Sequence, residues 1–411
     1  MNSALDVSKI KEQYPAFGRE VGGRPAVFLD GPAGSQVPQS VIDAVAFNLA
    51  HQNANQGGAF ASSQECGLTM ANAGRAVADL LGTDDPELVS FGANMTTLTF
   101  ALSRALAATW KAGDRILLTD AEHDANFTPW IRAAGDRGVE VDRVRIREDD
   151  ASLDLEDLKA KLERGPKLVA VACASNSLGN VHPVQEITKL AHDAGALVFL
   201  DAVHYAPHRL MDVSTWGCDF LVCSAYKFFG PHVGILWGRR ELMESLPAYK
   251  VRPAYDATPD RWMTGTQNQE GIAGTLAAID YLAGLSGDGA ASRRAALQSS
   301  FELISQHESK LLARLLSGLA EREATKAWGI TDLERLDERV ATVSFSHARH
   351  KPHAIAEHLG ERGIFVWSGN FYALPLSEAM GLEPDGLVRV GFLHYNTEYD
   401  VDRLLEALDE L

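Results

Sequence analysis

The residues best able to do chemistry in this sequence gather around one lysine. Lys227 follows Ser224-Ala225-Tyr226 and precedes Phe228-Phe229-Gly230-Pro231. The run before it, Phe220-Leu221-Val222-Cys223, is apolar and reads as a buried strand, so a hydroxyl, a phenol and an amine emerge together at a strand end. An amine among apolar groups loses its proton readily, because burial disfavours the charged form. A neutral lysine can form a Schiff base with a carbonyl. Taken alone, the same lysine also fits a surface loop between strands, since lysine is rarely buried.

Other polar groups follow apolar runs in the same way. His123 lies in Glu122-His123-Asp124-Ala125-Asn126, Asn176 in Ser175-Asn176-Ser177-Leu178-Gly179, and Asp201 and His204 in Asp201-Ala202-Val203-His204. Alone, each has a structural reading: a helix cap for Asp201, structural histidines at 123 and 204, and an Asx turn at 176.

The elements that must position them alternate strand and helix. Apolar runs near 88–91, 115–118, 168–173, 196–200 and 220–223 predict strands, and helical patterns near 71–81, from after Thr97 to about 108, and near 184–194 separate several of them. That order predicts an α/β fold with a mostly parallel sheet and helices on both faces. Ligands of such sheets sit at the carboxyl ends of the strands, where the candidate residues fall. The stretch 53–58 reads as a polar loop, and a long helix is predicted from about residue 292. The tail then reads as a smaller α+β unit. The expected division is a large domain over 26–290 and a small one from 1–25 with 291–411.

Composition narrows the partners. The 411 residues are 46% hydrophobic and 23% charged, enough apolar content for a packed core. A net charge of -17 argues against nucleic acid and anionic membranes, which favour basic surfaces. The four cysteines, Cys66, Cys173, Cys218 and Cys223, form no metal-binding spacing, so no metal is expected. No leader or membrane-spanning stretch is read at the N-terminus, and a cytoplasmic setting is expected.

An aldehyde cofactor with a basic ring nitrogen suits this set, and pyridoxal 5'-phosphate is the candidate. Lys227 would hold its carbonyl carbon and Asp201 would face its ring nitrogen. His123 would stack on the ring, and Asn176 and His204 would reach its phenolic oxygen. The turn at Gly92-Ala93-Asn94 leads into a helix, whose N-terminus suits a phosphate. Ala93, Asn94, Ser224 and Tyr226 are its candidate ligands.

Taken in order, these motifs resemble the class V aminotransferases, in particular the cysteine desulfurase-like group with the aspartate-aminotransferase fold, fold type I. Phe28-Leu29-Asp30-Gly31-Pro32-Ala33-Gly34, Pro207-His208 and the segment from Arg389 through Tyr395-Asn396-Thr397 extend the likeness over nearly the whole chain. The resemblance implies a pyridoxal-phosphate homodimer with a shared active site. It implies that Thr266 of one subunit reaches the phosphate of the other, that Arg389 binds the substrate α-carboxylate, and that Asn55 approaches the substrate side.

The sequence departs from that pattern at one chemically decisive place. Desulfurases of this type carry a cysteine in a stretch like 363–375, and Tyr372 stands at the matching position here. A phenol cannot form a persulfide, and no cysteine follows Cys223. The expected activity is therefore a C–S or related β-lyase acting at Cα of an amino acid. The alternatives are a desulfurase using another thiol such as Cys66, a transaminase or epimerase, and a non-catalytic partner protein.

Overall fold

The computed structural model describes residues 4–287 and 289–411. Its largest sheet has seven strands: β1 (Val89–Gly92), β2 (Arg115–Thr119), β3 (Glu140–Val144), β4 (Leu168–Ala172), β5 (Leu197–Asp201), β6 (Phe220–Ser224) and β7 (Gly234–Gly238). They lie in the order β1-β7-β6-β5-β4-β2-β3. Only β7 runs against its neighbours; β6, β5, β4, β2 and β3 pair in parallel. β4 and β6 are buried along their whole length, as central parallel strands covered on both faces must be.

A second sheet of four strands comprises β8 (Thr325–Trp328), β9 (Thr342–His347), β10 (Trp367–Gly369) and β11 (Leu387–Gly391), ordered β8-β9-β11-β10. The helix Arg293–Ala320 spans the two cores: Leu297, Phe301 and Ile304 pack with the large sheet, and Leu311, Leu315 and Leu319 with the small one. The N-terminal segment divides in the same way. Ile10 and Tyr14 join the larger core, while Val27 and Leu29 join the smaller, where Val27–Phe28 pairs with Ile364–Phe365.

Two elements differ from the sequence expectation. The helix expected from residue 71 begins at Ala61, because Cys66 and Met70 already bury against the larger core despite the small polar residues between them. Edge strand β3 and the helix Leu155–Leu162 had no assignment, since Glu140-Val141-Asp142-Arg143-Val144 is interrupted by charges at 140, 142 and 143.

Candidate active site

Lys227 closes a single 3₁₀ turn, Ala225–Lys227, directly after β6. Ser224, at the strand end, accepts a hydrogen bond from the Met95 N–H at 3.1 Å, which ties β6 to the first turn of helix Met95–Ala107. The lysine Nζ donates to the carbonyls of Pro32 and Ala33, the latter at 3.1 Å. Burial pulls its pKa down to about 7; nearby Arg389 acts in the same direction and Asp201 opposes it. Near neutral pH a large fraction of this amine is therefore unprotonated.

Asp201 ends the neighbouring strand β5, and its Oδ1 accepts from the Val203 N–H at 2.9 Å. Burial lifts the carboxyl to about 6, against the pull of that hydrogen bond and of Lys227. His123 caps the short turn after β2, its Nδ1 accepting from the Ala125 N–H at 3.0 Å. Burial, with Lys227 and Arg389 nearby, holds this imidazole down to about 4, so it is neutral.

These residues line two adjoining cavities. The inner one is walled by His123, Asn176, Asp201, His204 and Lys227, with Met95 and Thr96 from the helix start. The outer cleft has a volume of about 790 Å³ and shares Thr96, His123, Asn176, Tyr226 and Lys227 with it. Arg389, from β11, and the segment 367–372 close its far wall. Both sheets thus contribute, because β11 delivers Arg389 opposite the strand ends that carry Asp201 and Lys227.

Several polar groups around these cavities lack partners among the described residues. Asn176 Oδ1, His204 Nδ1, Arg389 Nε and Asp30 Oδ1 are all buried without one. Such atoms are costly unless something bonds them. Other atoms of three of these residues are engaged. Asn176 Nδ2 donates to the Phe371 carbonyl at 2.9 Å, and His204 Nε2 meets Thr342 Oγ1 at 3.0 Å. Arg389 donates to the Asn176 carbonyl at 2.9 Å and lies 4.3 Å from the centre of the Phe371 ring. Burial lowers the guanidinium to about 9, with Asp30 and Tyr226 pulling the other way. A polar, ring-shaped ligand with an acidic substituent fits this set, as does an amino acid carboxylate near Arg389.

The sequence signature of the family described as Aminotransferase class-V matches residues 27–404. The chain belongs to the class V aminotransferases. It is 30% identical to a cysteine desulfurase of Serratia proteamaculans over 99% of this chain and 98% of that protein. A cysteine desulfurase of Pectobacterium atrosepticum is 29% identical over 98% of each chain. Among solved structures, the apo cysteine desulfurase of Thermococcus onnurineus NA1 superposes with a TM-score of 0.89 at 28% identity, covering 100% of this chain and 99% of that one. The fold is that of fold type I pyridoxal-phosphate enzymes, and the chain is a pyridoxal-phosphate-dependent enzyme.

Not every residue expected at the site lines these cavities. Lys227, Asp201, His123, Asn176, His204, Tyr226 and Arg389 do. Asn94 instead caps the helix through the Thr97 N–H at 2.9 Å, with exposed Ala93 beside it, and the Ser224 hydroxyl is occupied at Met95. Asn55 and Thr266 are exposed and reach neither cavity from within this chain. Pro32 and Ala33, whose carbonyls hold Lys227, and Thr96 line the cavities without an expected role, and Asp30, which lines neither, acts on Arg389 through its charge. Asp30 could have been found, since it stands in a motif that carries the family likeness; backbone carbonyls leave no mark in a sequence.

Proposed function

We propose that the enzyme removes the Cα proton of an amino acid and releases a sulfur group from Cβ, as a C–S β-lyase. The single observation that carries this reading is the absence of any usable thiol. Tyr372 lies at the cleft wall, while Cys66, Cys173, Cys218 and Cys223 are all buried and none lines either cavity. A buried thiol in apolar surroundings is a poor nucleophile, and burial raises all four.

In this reading Lys227, Asp201, His123, Asn176, His204 and Tyr226 hold pyridoxal phosphate, with Ala93, Asn94, Ser224 and the helix start at its phosphate. The bound cofactor supplies an electron sink for the carbanion at Cα. Arg389 fixes the substrate carboxylate in a planar, two-pronged grip. The Lys227 amine takes the Cα proton, for which a pKa near neutrality is well matched. Asp201 keeps a negative charge facing the ring nitrogen. Overall, cysteine and water become pyruvate, ammonia and sulfide.

The reading includes a homodimer that completes the site, with the partner bringing its own copies of Asn55 and Thr266. Support comes from exposed apolar residues flanking both: Phe47, Leu49 and Phe60 near the first, Tyr249, Val251 and Tyr255 before the second. The division near residue 290 is part of the same reading, supported by the two sheets and the separate core of the smaller one.

A second reading, cysteine desulfurase with an external thiol as sulfur acceptor, is favoured by the names of the relatives. Incubation with L-cysteine separates the two. Pyruvate with sulfide supports the lyase; alanine, formed only with added thiol, overturns it.

A further inference from the structure

Behind His204, away from the cleft, lies a buried ionic cluster that the proposed reaction does not use. His208 Nδ1 meets Glu308 Oε2 at 2.7 Å, and both side chains are almost fully buried. The rings of His208 and His204 sit edge to face, 5.4 Å between centres. Arg339 is a second buried charge, 2% exposed, and its guanidinium donates to the carbonyls of Ile330, Leu178 and Thr342. Burial lowers its pKa to about 10 and raises that of Glu308.

Among the described residues, Glu308 Oε1 and Arg339 Nε have no partner. The two residues line one small cavity of about 10 Å³, the size of roughly one water molecule. Both arms of this cluster converge on the same imidazole. Glu308 reaches His204 through the packed ring of His208, and Arg339 holds the main chain of Thr342 by donating to its carbonyl at 2.7 Å, while the Thr342 hydroxyl meets His204 Nε2 at 3.0 Å.

We propose that Glu308 and Arg339 are positioning residues that fix the tautomer and protonation of His204, and through it the proton on the cofactor's phenolic oxygen. The inference rests on the functional reading above, in which His204 faces that oxygen. With Nε2 held by Thr342, the unpartnered Nδ1 is the atom left for the cofactor. The charged and titratable groups facing His204 are His208, Lys227, Arg389 and His123; those facing Glu308 are His208, His307 and Arg209. Burial is the main cause that keeps His204 neutral, and the bond to Glu308 fixes the His208 ring that packs edge to face against it.

The test compares Glu308→Gln, Glu308→Leu and Thr342→Val with the parent, loaded with pyridoxal phosphate. The readout is the ratio of the long- to short-wavelength absorbance bands of the bound cofactor, followed against pH. We expect at least a twofold change in that ratio in Glu308→Leu and Thr342→Val. Glu308→Gln, which can still accept from His208, should recover most of the parent ratio. Variants that lose thermal stability yet keep the parent ratio at every pH would overturn the proposal and leave the cluster a structural one. Should Glu308→Leu not fold, Glu308→Ala takes its place for the His208 arm, and Thr342→Val, in which valine is close to threonine in volume, tests the other arm. A parent protein that never develops colour would sink the functional reading instead. In that case nitrogen-15 NMR of the histidines in cofactor-free protein still tests the cluster, because an unchanged His204 tautomer in Thr342→Val overturns it.

Discussion

The ring of Tyr372 stacks on that of His123, with 5.7 Å between centres and 25° between planes. The phenol therefore stands at the cleft wall beside the imidazole assigned to the cofactor ring, and it is 74% exposed. A thiol at this position would face the same space. Tyr372→Cys is expected to move the product mixture from L-cysteine toward alanine by about tenfold when a reducing thiol is present. Product analysis after a fixed time checks this. An unchanged ratio would mean that residue 372 does not face the sulfur of the substrate.

The segment carrying Tyr372 is held in an unfavourable backbone shape. Phe371 and Tyr372 have φ of 57° and 58°, left-handed values that disfavour residues with a side chain. Two site neighbours latch it: Asn176 donates to the Phe371 carbonyl at 2.9 Å, and the Asp124 N–H to that of Tyr372 at 2.7 Å. Removing the first latch in Asn176→Ala forfeits about 1–2 kcal/mol of local stability. Chymotrypsin, which cuts after aromatic residues, should then cleave at Phe371 or Tyr372 about 5–30 times faster in the native protein, by the same free energy. Equal cleavage rates would show that the latch contributes nothing.

Capture of the cofactor by the free protein requires the unprotonated lysine. With the Lys227 pKa near 7, the rate of colour development should climb about tenfold per pH unit below that value and level off above it. Arg389 is a cation that lowers this pKa, so Arg389→Gln should move the break to higher pH; Asp201 raises it, so Asp201→Asn should move the break lower. Stopped-flow absorbance across pH 5–9 measures both shifts. Lys227→Ala should never give an adduct that survives borohydride reduction and denaturation, read by mass spectrometry.

Arg389 holds a wall of the cleft as well as a charge. It bonds the Asn176 carbonyl and packs on Phe371, and its Nε has no partner among the described residues. Arg389→Lys keeps the charge but not the planar fork, so kcat/KM for an α-amino acid should fall by about 2–3 kcal/mol of transition-state binding. Steady-state kinetics of parent and variant on an amino acid that the parent turns over provides the check. A loss below twofold would place the carboxylate elsewhere.

Much of this site was legible because the chemistry sits at strand ends. Apolar runs with β-strand length mark β4, β5 and β6, and the polar residues that terminate them, Asn176, Asp201 and Lys227, line the cleft. Where the sequence was opaque, tertiary packing decided the outcome. Ala61-Ser62-Ser63-Gln64 carries little helical signal, yet the helix begins there because Cys66 is driven into the core. Ser224 was legible as a polar strand end but not as the partner of the Met95 N–H, since that bond joins residues 129 positions apart. The Glu308 cluster was invisible for the same reason: only folding brings it to His208, 100 residues away.

Glu122 precedes His123 and is wholly enclosed by donors. Its Oε1 accepts from Thr119 Oγ1 at 2.6 Å and the Ala172 N–H at 3.0 Å, while Oε2 accepts from Asn126 Nδ2 at 2.6 Å. Burial pushes its pKa up to about 8, and those three donors pull it back. The geometry favours the carboxylate, because every neighbour donates. Glu122→Gln conserves volume but must place an NH₂ against Thr119 and Ala172 or against Asn126. Asn126 cannot turn its amide to oblige, since its Oδ1 already accepts from Trp130 Nε1 at 2.9 Å. One donor pair is left facing another whichever way the new amide points, so the substitution should cost about 1–3 kcal/mol. Denaturant unfolding of cofactor-free protein measures that loss, and a neutral result would mean that Glu122 is protonated in the native state and already shares the conflict.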